Sequence, residues 1–81
     1  MKLYLLTQDV NDDYDTFDSV VVAADSEEEA RQITPAYGGK WEERVYSRTW
    51  ATTPEQVKVK YLGDAADDVP SGIILASFNA G

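Results

Sequence analysis

Chemistry in this 81-residue chain must come from carboxylates, hydroxyls, Tyr, Lys and Arg, because it contains neither His nor Cys. That absence excludes the Ser-His-Asp and Cys-His nucleophile systems, the usual general base near neutral pH, disulfides and thiolate metal sites. The densest run of chemistry-bearing residues is Asp9-Val10-Asn11-Asp12-Asp13-Tyr14-Asp15-Thr16-Phe17-Asp18. Asp9, Asn11, Asp13 and Asp15 alternate as the early ligands of an EF-hand calcium loop do. The match fails at the sixth position, where the turn needs Gly and the chain has Tyr14. It fails again at the twelfth, where a bidentate Glu is needed and Val20 stands. A solvated acidic turn is the plainer account, and no cofactor or metal is expected. Paired carboxylates for acid/base catalysis need a cleft that drives their pKa values apart, and a domain this small has little room for one. Gly38-Gly39-Lys40 lacks the spacing of a phosphate loop. A non-enzymatic protein is expected.

The charge distribution is more specific. Fifteen acids against seven bases leave a net charge of −8. Residues 1–30 hold nine acids (Asp9, Asp12, Asp13, Asp15, Asp18, Asp25, Glu27, Glu28, Glu29) against Lys2 alone. Residues 31–62 are net basic through Arg31, Lys40, Arg44, Arg48, Lys58 and Lys60, and residues 63–81 add Asp64, Asp67 and Asp68. Such a balance disfavours nucleic acid and anionic membrane and favours a protein partner with a basic surface. Within the acidic third, Tyr14 and Phe17 interleave with Asp9, Asp12, Asp13, Asp15 and Asp18, with Glu27 and Glu28 following. Aromatic anchors among acids suit an Arg/Lys-rich groove, in which carboxylates on a small rigid body imitate nucleic-acid phosphate. These nine residues form the expected partner-binding set. The competing account tucks Tyr14 and Phe17 into a sheet edge and leaves the Asp residues to solvate a turn.

The elements that must hold these residues follow from periodicity. An apolar or aromatic content of 43% marks a folded chain, and the length fits one domain over residues 1–81. No apolar run reaches the roughly 18 residues that a membrane span requires, so a cytosolic protein is expected. Lys2–Gln8 reads as a central strand, and Val20–Ala24 as a second strand pairing with it in a hairpin, with a shorter connection if Tyr14 and Phe17 extend the ladder. Asp25-Ser26-Glu27-Glu28-Glu29 starts a helix, with Ser26 and Glu29 at capping-box spacing. Ala30 and Ile33 face the core, and Pro35 ends the helix after about two turns. Trp41, Val45, Tyr46 and Trp50 are too large to be left exposed together, and a short irregular strand is expected near Glu43–Ser47. Thr53-Pro54-Glu55-Gln56 reads as a capped turn with Pro at its first position. The following VKVKYL alternates, putting Val57, Val59 and Tyr61 inward and Lys58 and Lys60 outward, with Gly63 ending the strand. Ile73–Phe78 reads as a last buried strand. The order β-β-α-(β)-β-β gives an α+β fold: an antiparallel sheet of four to five strands with one short helix on one face.

The chain also resembles a family of short, mostly uncharacterised bacteriophage and prophage proteins. The resemblance runs through KLYLLTQDVN at residues 2–11, Tyr14–Ser19 leading into Val20–Ala24, Asp25–Arg31, Pro35, Thr49-Trp50-Ala51, Pro54, Val57–Gly63 and Ala76–Gly81. It covers nearly the whole chain and carries no catalytic residue. The family commonly has a His before the helix-ending Pro, where this chain has Thr34. What the resemblance implies is an accessory protein in the host bacterium's cytoplasm. Among small acidic phage proteins, inhibitors of the anti-CRISPR and anti-restriction kind recur, and a CRISPR or restriction effector would then be the partner. A second expectation is a structural or assembly module that forms a homodimer through sheet edges or the Trp41–Trp50 segment, its acidity serving solubility.

Overall fold

The computed structural model describes residues 1–10, 15–35, 50–51 and 53–79. They form strand β1 (Lys2–Thr7), strand β2 (Thr16–Ala24), helix α1 (Glu27–Gln32), a 3-10 turn (Pro54–Gln56), strand β3 (Lys58–Asp64) and strand β4 (Gly72–Asn79). The four strands make one antiparallel sheet in the order β3-β1-β2-β4. A small antiparallel sheet with one short helix is therefore the α+β architecture. The strand expected near Glu43–Ser47 lies outside the described residues.

β1 lies inside the sheet, in keeping with the apolar residues on both its faces, with Leu6 opposite Val20 on one side and Val59 on the other. Tyr4, Leu6, Val20, Val22 and Ala24 share the face beneath α1, where Ala30, Trp50, Ala51 and Val57 complete the buried cluster. Fully burying such an aliphatic side chain stabilises a fold by about 1.5–3 kcal/mol. α1 stays short because Ile33 leaves helical geometry at ψ 120 and Pro35 follows. The helix starts where Ser26 Oγ accepts from the Glu29 N–H at 3.2 Å, while a Glu29 carboxylate oxygen accepts from the Asp25 N–H at 3.3 Å. The reciprocal bond thus reaches one residue further back than in the usual capping box. The Pro54–Gln56 turn is closed by the Gln56 side-chain carbonyl, which accepts from the Thr53 N–H at 3.2 Å.

Four expectations need correction. The second strand begins at Thr16 rather than Val20, because β4 pairs with the turn-forming stretch: Phe17 lies opposite Phe78 and Ser19 opposite Ser77. β3 runs through Gly63 to Asp64, as a bulge at Leu62 and the left-handed Gly63 (φ 148) let the ladder continue. Tyr61 points to the core side yet stays 53% exposed, resting edge-on against Tyr4 with ring centroids 5.8 Å apart. The last strand is not buried: β4 lies at the edge of the described sheet, and Ile73, Ile74, Leu75 and Phe78 are all exposed. An apolar run such as Ile73-Ile74-Leu75 signals burial only when both neighbouring places in the sheet and both faces are occupied, and among the described residues β4 has a neighbouring strand on one side only. No described helix is long and apolar enough to cross a membrane.

Candidate partner-binding surface

The β1–β2 hairpin decides where the acids go. Its register sets Thr7 opposite Ser19 at one end and Lys2 opposite Ala24 at the other. Asp9, Asp15 and Asp18 therefore gather at the connection between the strands, whereas Asp25, Glu27, Glu28 and Glu29 follow the far end of β2. The eight steps from Thr16 to Ala24 span about 26 Å at ~3.3 Å per residue. The described acids of residues 1–30 thus form two groups at opposite ends of the sheet rather than one patch.

At the hairpin end, Gln8 is the residue that composition and charge did not reveal. Its buried side chain donates from Nε2 to the Phe17 carbonyl at 3.0 Å, and its Oε1 accepts from the Val10 N–H at 2.9 Å. One amide thereby ties both arms of the connection together, and a Gln closing a strand gives no sequence signal for that role. Asp15 takes the left-handed conformation at φ 60, which a short polar side chain tolerates better than most. Asp15 and Asp18 are exposed, Asp18 being the extra residue where the β2–β4 register shifts. Asp9 is also exposed and pairs with Lys58 Nζ at 3.1 Å. That contact joins residues 49 apart in sequence and is the fold-back neutralisation the charge pattern allowed, worth about 0–1 kcal/mol for so exposed a pair. Phe17 is half-buried against the core, its ring 4.9 Å from that of Phe78, so part of its surface is committed to the sheet. Asp12, Asp13 and Tyr14 lie outside the described residues.

At the other end, Glu27 pairs with Arg31 at 3.1 Å, and Glu28 is exposed. Asp25, Asp64 and Asp67 line a shallow open depression together with Met1, Lys2 and Ala65. The depression forms because the Ala65 N–H donates to the Met1 carbonyl at 2.9 Å, drawing the chain after β3 alongside the start of β1. Acids separated by nearly forty positions thus become neighbours, which charge counting by segment missed. Nearby, the Tyr61 hydroxyl donates to Asp64 at 2.8 Å, and this hydrogen bond, with smaller contributions from desolvation and the surrounding charge, raises the tyrosine pKa above its ordinary value. Among the described residues no group of three or more carboxylates is arranged to hold a metal ion. Thr34, at the position where the resembled family carries His, is fully buried. Trp50 is fully buried within its own chain, which removes it from any contact surface of the Trp41–Trp50 segment. Comparison with protein-family models, with curated proteins and with solved structures finds no match to this chain.

Proposed function

We propose that this chain is a non-enzymatic accessory protein, of the phage or prophage kind, that binds a basic surface of a host protein in the bacterial cytoplasm. Docking through carboxylates keeps nucleic acid from that surface, as an inhibitor of a CRISPR or restriction effector would. The observation that carries the reading is the hairpin end, where Asp15 and Asp18 stand exposed with no ion pair among the described residues and the buried Gln8 amide fixes the arms that present them. Rigidly held carboxylates lose little entropy on docking and steer a basic partner from a distance. Asp12, Asp13 and Tyr14 extend the same connection in sequence, and Tyr14 supplies an aromatic anchor.

The test is capture from host lysate by the tagged chain, followed by affinity measurement on the captured partner. Reversing Asp12, Asp13 and Asp15 to Lys is expected to weaken binding by about tenfold or more, and reversing Asp64, Asp67 and Asp68 by much less. Equal losses, or none, would overturn the assignment to the hairpin end.

A further inference from the structure

We infer that the outer edge of β4, which no other described strand covers, is a self-recognition surface, pairing antiparallel with β4 of a second copy about a two-fold axis perpendicular to the sheet. A strand edge carries a row of N–H and C=O groups, so its natural occupant is another strand. The two edges of this sheet differ in how they are guarded. β3 carries Lys58, Lys60 and Asp64 and is bulged at Leu62. β4 reads GIILASFN, with no charge and no Pro, and leaves Ile73, Ile74, Leu75 and Phe78 exposed. Its one irregularity, where Val21 faces Leu75 and Val22 faces Ile73, leaves Leu75–Asn79 free to pair beyond it.

Charge selects the second copy as occupant. Two bodies of charge −8 repel over most of their surfaces, and residues 69–81 form the longest stretch of the chain without an ionisable side chain. A basic partner finds no counter-charge on this strand, whereas an identical strand meets it with no like-charge contact. The perpendicular two-fold also keeps each sheet face level with its copy. The row Lys60, Leu5, Val21 and Leu75, which runs across the face opposite α1, then continues onto the same face of the second copy. Leu75, exposed by 66% in the single chain, gains apolar cover without any change to its own core.

The experiment is sedimentation equilibrium of the full chain from about 5 μM to 1 mM, a range that brackets weak dimers. It is paired with NMR on a mixture of differently labelled copies. A monomer–dimer equilibrium with cross-copy contacts confined to residues 73–79 is expected. Leu75→Lys and Leu75→Glu are both expected to weaken it by about tenfold or more, since each places like charges near the axis. Leu75 lies outside the buried cluster, so an unchanged far-UV spectrum in both variants checks the fold. A chain that stays monomeric at the highest concentration, open-ended association, or contacts between copies at another surface would overturn the inference. So would opposite shifts in the two variants, the signature of net charge alone.

Discussion

Tyr61 is the residue where the local chemistry is most directly measurable. Its hydroxyl donates to the Asp64 carboxylate, which favours the protonated phenol and raises the pKa above the ordinary value of about 10. A folded pKa above the unfolded one means that the interaction contributes its full stabilisation below the unfolded pKa and loses it as pH rises through the folded one. Following the Tyr61 ring carbon next to the hydroxyl by NMR between about pH 8 and 12 is expected to give a midpoint above the ordinary tyrosine value. Asp64→Asn should bring that midpoint down. A midpoint at the ordinary value with Asp64 intact, or one unmoved by the substitution, would show that the hydrogen bond does not persist in solution. Gln8 shows the complementary lesson at this scale. Its amide is satisfied by two backbone groups of one connection, a role that follows only once the hairpin register is known.

Among the elements, α1 is the one most fully written in local sequence. Ser26 and Glu29 specify its start, Pro35 its stop, and six helical residues with Ala30 buried lie between. So short a helix holds only when capped and packed. Ser26→Ala is expected to cost about 1 kcal/mol, seen as a fall in Tm of roughly 4–8 °C for a domain this size, while Ser26→Asp, also a capping residue, should stay near the parent. A loss below about 0.3 kcal/mol would mean that packing of Ala30 and Ile33 alone determines where the helix starts. The strands were legible where the pattern was plain, in β1 from apolar residues on both faces and in Val57–Lys60 from clean alternation. β2 was legible in Val20–Ala24 but not in Thr16–Ser19, where Thr, Asp and Ser favour turns and the strand extends because β4 supplies hydrogen-bonding partners that no local propensity contains. The same non-local pairing hid the candidate surface. Acids adjacent in sequence part company along the length of β2, while Asp25, Asp64 and Asp67, far apart in sequence, come together.

At the scale of the whole molecule, charge and apolar surface are sorted into different places, and that sorting makes the two proposed contacts respond oppositely to salt. The hairpin end and the helix-start end are separated by about 26 Å along β2, more than twice the ~10 Å Debye length at 0.1 M salt, so each group of acids acts on a partner independently. Docking of the hairpin carboxylates on a basic surface draws on attraction that salt screens. Its affinity is therefore expected to fall by about tenfold or more between 50 and 500 mM NaCl, chiefly through a slower association rate. Pairing of two β4 edges brings together bodies that each carry −8, and the contact itself holds no ion pair to lose. Screening then removes repulsion alone, and the dimer is expected to tighten over the same range. Sedimentation and partner-binding measurements in matched buffers check both signs. If affinity for the partner and the dimer both weaken with salt, the self-association involves the charged surface and not β4. If both strengthen, apolar contact rather than the hairpin acids dominates recognition of the partner.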